Sequence, residues 1–165
     1  MFIFSFKASS AKLIGVVCAC LAAGAAVIAC LPSAGAYLNV NKLEISKTLS
    51  ETDVKNADGR MEFFGILGYE TQKEPVSTTS ERVPEVLSAA EERYNSLQRS
   101  QGFDLTRYAG KNVTGYTYKV TSLPDGTKLG DEEYLATLVV YKNKVIAADL
   151  CCIERQEYYP LVRVS

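Results

Sequence analysis

The sequence predicts an α+β fold in which an N-terminal transmembrane helix precedes two helices packed on an antiparallel three- to four-stranded meander. Three observations predict it. An apolar run covers residues 13–38 behind Lys7 and Lys12, a helical spacing of apolar residues runs from Val83 to Leu97, and from Tyr116 onward the period switches to two. The chain divides accordingly into an anchor at 1–38, a juxtamembrane linker at 39–55 and an α+β domain at 56–165.

Counting Tyr and Cys as apolar, Ser33 is the only polar side chain between Leu13 and Leu38, and no charge appears before Lys42. About 20 helical residues suffice to cross a bilayer. Both cations precede the run, which orients the N-terminus to the cytoplasm and the rest of the chain outside, a single-pass arrangement with the membrane held through residues 13–38. Two other fates stay open. Ala34-Gly35-Ala36 offers a signal-peptidase site, and Val27-Ile28-Ala29-Cys30 fits a loose lipobox that would make Cys30 a lipidation site. Each fate delivers the downstream domain outside the cytoplasmic membrane, as an anchored, lipidated or secreted protein.

Roughly 120 residues follow, the size of one domain that buries its own core. The formal charge of the whole chain is −1, and setting aside Lys7 and Lys12 leaves the remainder at −3, a balance that argues against nucleic acid as a partner. Histidine is absent, which removes the commonest general base and metal ligand together. No cofactor and no metal are expected. Trp is absent too, while 10 Tyr suit half-buried sheet faces.

Asn39 to Ser50 reads as linker. Asn56 or Asp58 caps a short helix reaching about Leu67, with Met61, Phe64 and Leu67 on one face and Gly68 at its C′ position. Gly59 and Gly65 weaken that helix, each by close to 1 kcal/mol relative to alanine. Tyr69 to Thr79 is polar, contains Pro75 and reads as an extended connection or edge strand. Pro84 at a first-turn position opens the main helix, Pro84 to Gln101, whose apolar side is Val83, Val86, Leu87, Ala90, Tyr94 and Leu97. Glu85, Glu91, Glu92, Arg93 and Arg99 form its solvated face, and Gly102 closes it.

After a loop at 102–111, Tyr116, Tyr118 and Val120 alternate with Thr117, Lys119 and Thr121 in a first strand. Pro124-Asp125-Gly126 makes a turn. Leu135 to Tyr141 and Lys144 to Cys152 are strands joined by a tight hairpin at Lys142-Asn143-Lys144, where Asn143 takes positive φ. Tyr158 to Val164 is a fourth strand that Pro160 confines to an edge. The main helix then covers one sheet face, and the other is solvated or open to a partner.

Few residues suggest chemistry. Adjacent Cys151 and Cys152 would make a strained, reducible ring if oxidised. On a strand they instead point to opposite faces, one as core filler and one as exposed thiol. The acidic pairs Glu91-Glu92 and Asp131-Glu132-Glu133 fit a solvated helix face and a turn. Asp149 interrupts an apolar strand: buried, it needs a partner and becomes a candidate site; on the solvent side it is only a surface carboxylate. Asn112-Val113-Thr114 matches a glycosylation sequon by chance. No glycine-rich phosphate loop is present.

Tyr94-Asn95-Ser96-Leu97-Gln98, Gln101-Gly102-Phe103-Asp104-Leu105, Tyr108, Gly110-Lys111, Tyr116-Thr117-Tyr118, the hairpin from Leu138 to Ile146, and Asp149 together resemble a bacterial family, domain of unknown function 4830. The resemblance spans roughly residues 60 to 152. Its members, mostly from Gram-positive anaerobes, look like short anchored or secreted proteins beginning MF…K, as Met1, Phe2 and Lys7 do here. Where the family tends to show two glycines before the aspartate, this chain has Ala147-Ala148. The resemblance implies a compact extracytoplasmic domain with no catalytic residues to transfer.

The expected function is therefore a non-catalytic, envelope-associated module that binds a protein or peptide at its sheet face or edge. Tyr94, Gln98, Gly102, Phe103, Asp104, Tyr116, Tyr118 and Asp149 are its candidate structural and interaction residues. Within that set, Gly102 caps the helix, Phe103 and Leu105 pin the loop, and Asp104 caps the next turn. The alternative is a thiol switch using Cys151 and Cys152. A hydrolase using Asp104 and Asp149 is a third class, and it requires the two carboxylates to share a cleft.

Overall fold

The computed structural model describes residues 48–49, 51–124 and 132–162 of the chain. The expected membrane anchor at 13–38, Cys30 within it, the Asp125-Gly126 part of the turn and the end of the last strand lie outside the described residues. Among the described residues no helix is long and apolar enough to cross a membrane.

Among the described residues, α-helices α1 (Ala57–Ile66) and α2 (Ala89–Ser100) and a 3-10 helix (Leu105–Tyr108) accompany six strands. These are β1 (Glu70–Thr71), β2 (Ser77–Arg82), β3 (Asn112–Ser122), β4 (Tyr134–Tyr141), β5 (Lys144–Cys152) and β6 (Glu157–Pro160). The expected α+β class holds, but the sheet has six strands rather than three or four. The surplus comes from the segment read as a connection. β1 and β2 both pair antiparallel with the long β3, one at each end, forming an interrupted edge strand broken around Lys73-Glu74-Pro75. Serines and threonines disguised β2: threonine favours strands, but a run of hydroxyl residues shows no apolar alternation.

β3, β4 and β5 form the expected meander, and β6 closes it through Leu150↔Tyr159 and Cys151↔Tyr158. The β4–β5 hairpin has the expected tight turn, with positive φ at Lys142 as well as Asn143.

The first helix is capped as expected: the Asn56 side chain accepts from Gly59 N–H at 2.9 Å. At its other end Gly68 N–H reaches the Gly65 carbonyl and Tyr69 N–H the Phe64 carbonyl, both at 3.0 Å, a Schellman motif. Its fully buried side is Gly59, Arg60, Phe63 and Phe64, and Met61 and Leu67 of the expected apolar line pack, half-buried, against the same core. Gly59 is no weakness, since a Cβ there would run into the Asp53 carbonyl oxygen. Phe64 meets Tyr118 edge-on at 5.3 Å between ring centroids, and with Phe63, Val120, Leu138 and Leu150 they form the main core. Leu49 and Val54, within the expected linker, are buried in that same core.

The main helix starts at Ala89, not Pro84. Ser88 and Glu91 form a capping box, with Ser88 N–H donating to Glu91 Oε2 at 2.6 Å, and a capping box outweighs the weaker first-turn preference of proline. Val83 therefore leaves the helix and packs with Leu105, Val113, Ile146 and Ala147 in a second, smaller core, and Val86 is 85% exposed. By strand alternation this smaller core lies on the sheet face opposite the main one.

Candidate functional site

The covering of the sheet differs from expectation. α1 packs over the main core, whereas α2 docks on β5 and β6 through polar side chains: its fully buried positions are Asn95 and Gln98. β6 stops pairing with β5 at Asp149↔Pro160. Just beyond, the Ala148 N–H donates to Gln98 Oε1 at 2.9 Å, and Gln101 Nε2 donates to the Ala148 carbonyl at 2.8 Å. Gln101 Oε1 accepts from Val162 N–H at 2.8 Å. Two side-chain amides thus occupy the place of a strand along this part of β5, satisfying backbone groups that burial would otherwise leave unpaired.

The helix ends where these amides need it to end. Gly102 has φ 91°, Gly102 N–H donates to the Arg99 carbonyl at 3.1 Å, and Phe103 N–H to the Gln98 carbonyl at 3.0 Å. Phe103 then packs on the main core. Asp104 caps the 3-10 helix as expected, accepting from Thr106 N–H at 3.1 Å and Thr106 Oγ1 at 2.7 Å. The Asn95 amide adds a donor to Asp104 at 3.2 Å and accepts from Leu105 N–H at 2.8 Å. The Thr106 bonds, with help from Asn95, hold the Asp104 carboxyl down at about 2.

One turn earlier on α2, Tyr94 donates its hydroxyl to Asp149 Oδ2 at 2.7 Å. Asp149 is 3% exposed, so the buried alternative holds. Burial pushes its carboxyl up to about 7, against the Tyr94 hydrogen bond, which favours the ionised form. Burial and then the Asp149 charge push the Tyr94 phenol well above its ordinary range. Glu81, on β2, is also raised by burial. Asp104 and Asp149 share no hydrogen-bond partner among the described residues.

Tyr116 and Tyr118 are not an exposed contact patch. Tyr118 is fully buried and its hydroxyl accepts from Arg60 Nε at 2.6 Å. The Arg60 guanidinium lies 4.0 Å from the centroid of the half-buried Tyr116 ring and donates to the Val54 and Lys55 carbonyls, both at 3.2 Å. Nothing in the sequence marked Arg60 as a buried tie.

Cys151 and Cys152 are both buried and share no disulfide, so neither is the exposed thiol that strand alternation suggested. Alternation does point them to opposite faces, Cys152 into the main core. Arg155 Nε donates to Cys152 Sγ at 3.4 Å, and its Nη2 reaches Glu132 at 2.9 Å and Tyr134 Oη at 2.6 Å, tying the β5–β6 turn to β4.

The two long edges of the sheet differ. The β6 edge is four residues long and ends in Pro160, which has no N–H to offer. The β2 edge is six residues long. Val83 N–H donates to the Lys111 carbonyl at 2.9 Å, which turns odd-numbered residues toward β3 and leaves the amide groups of Thr78, Ser80 and Arg82 facing outward. All three residues are exposed, and no strand among the described residues pairs with this side.

Fold and site together define a small α+β sheet domain with one guarded and one open edge. The family model for Domain of unknown function (DUF4830) matches residues 63–150, and the chain belongs to that family. No curated protein and no solved structure matches it.

Proposed function

We propose that this is a non-catalytic binding module of the cell envelope, held outside the cytoplasmic membrane by residues 13–38, that captures an extended protein segment by strand addition to β2. The observation that carries this reading is the contrast between the edges. Natural sheets blunt their edges with charge, proline or covering groups. Here one side has Pro160 and the Gln98–Gln101 cover, whereas β2 presents exposed Thr78 and Ser80 with outward amides, and its exposed charge, Arg82, is engaged with the Gly110 carbonyl and Glu85. An added strand would gain main-chain hydrogen bonds there, with specificity from alternate side chains. Val76 and Val86, 43% and 85% exposed, flank the strand in sequence and supply apolar contacts at its two ends.

The test is a peptide library selected on the full-length chain in detergent, followed by the Ser80→Pro variant. Residue 80 points its N–H outward, so proline there removes an outward donor without breaking a bond to β3. Peptides that lose at least tenfold in affinity to Ser80→Pro, with its Tm within a few degrees of wild type, support the reading. Equal binding to both chains overturns it.

A further inference from the structure

We propose that α2 is a releasable cover whose glutamines mimic a strand, and that its release opens the Ala148 stretch of β5 to an incoming extended segment. The two glutamine amides make the pair of bonds that one residue of an adjacent strand would make. Gln98 Oε1 accepts the Ala148 N–H and Gln101 Nε2 donates to the Ala148 carbonyl. A peptide group offers the same acceptor and donor, so the occupant that fits when the helix leaves is another backbone. Gln101 also holds Val162 N–H, so that amide loses its partner with the helix while the Leu161 and Val162 side chains stay in the main core.

The docking is of a kind that detaches. No apolar side chain of α2 is fully buried; Asn95 and Gln98 are. Gln98 Nε2 is itself buried without a partner, a standing penalty in the docked state. The other ties are the Tyr94 ring at the border of the smaller core, the Asn95 amide to Asp104 and Leu105, and the Tyr94 hydroxyl to Asp149. Groups facing that last tie are Glu81 from β2 and Tyr158 from β6, and Thr137 stands opposite Asp149 on β4. None is a cation, so an ionised Asp149 has only the Tyr94 hydroxyl to hold its charge in the docked state. Undocking returns that carboxylate to water. Alkaline conditions therefore favour release, in agreement with the raised affinity of Asp149 for its proton.

Hydrogen exchange of the full-length protein in detergent tests this at pH 6 and pH 8, each amide corrected for its intrinsic rate. With a docked value of about 7 and an undocked value of 3.8, opening rises about tenfold between those pH values. The amides of Ala148 and Val162 lose about tenfold protection together, while Leu138 in the centre of β4 does not change. Asp149→Asn, which keeps the shape and removes the titration, abolishes the difference. Tyr94→Phe, which removes only the hydroxyl, raises exchange at Ala148 at pH 8. The proposal is overturned if Ala148 and Val162 show equal protection at both pH values, or lose it equally in Asp149→Asn. It is also overturned if they open only together with Leu138.

Discussion

Replacing Asp149 by Asn should change how the stability of the domain depends on pH. Asp149 is 3% exposed and its carboxyl is raised from 3.8 to about 7. Between those two values the folded chain keeps a proton that the unfolded chain has released, so stability falls as pH rises through that window and levels off above it. A shift of about three units at about 1.4 kcal/mol each gives an upper bound of about 4 kcal/mol lost between pH 4 and pH 8. Urea unfolding of the full-length chain at pH 5, 6, 7 and 8 reads this directly. Wild type should lose on the order of 2 kcal/mol across that series. Asp149→Asn should lose much less, the residue coming from Glu81, which is raised in the same direction. Asp104, held at about 2, acts with the opposite sign and only below pH 4, outside the series. A wild-type profile that is flat, or an Asp149→Asn profile with the same slope, would refute the reasoning.

Other substitutions probe the frame around the site. Gly102→Val should lower stability by about 1–2 kcal/mol, because Gly102 sits at φ 91° with open space around it, leaving backbone strain as the only penalty; unchanged Tm would discard the cap assignment. Arg60→Ala should cost about 3 kcal/mol by denaturant unfolding, since it strips the Tyr118 hydroxyl and two carbonyls of their donor at once. Gly59→Ala should destabilise although alanine is the better helix former, because its Cβ meets the Asp53 carbonyl. A stabilised Gly59→Ala variant would show that this turn yields easily. Phe64→Ala should cost about 3–5 kcal/mol as the T-shaped contact with Tyr118 is lost from the main core.

What the sequence revealed was set by local rules. The caps at Asn56, Gly68, Gly102 and Asp104 and the Lys142-Asn143 turn each depend on a few neighbouring residues, so their residue types announce them. The helix start was misread at Pro84 because the capping box at Ser88 and Glu91 competes with a proline signal four residues earlier. The α2 face was misread for a deeper reason. Apolar periodicity finds faces that bury carbon, but this helix is held by amides that satisfy a sheet edge, and only tertiary pairing shows that Ala148 lacks a strand partner there. β2 escaped because both its faces are polar, and Arg60 because one charged residue in a short helix carries no periodic signal. Of the candidate residues, Tyr94 and Asp149 meet directly. Gln98, Gly102, Phe103 and Asp104 build the helix end beside them, and Tyr116 and Tyr118 belong to the Arg60 tie.

The most direct test of strand addition is amide hydrogen exchange along β2 in the full-length chain, with and without a saturating selected peptide. Slowed exchange at Thr78, Ser80 and Arg82, with Thr79 and Glu81 already protected by β3, is the predicted result. Exchange at those three amides that stays fast while the peptide is bound would contradict it.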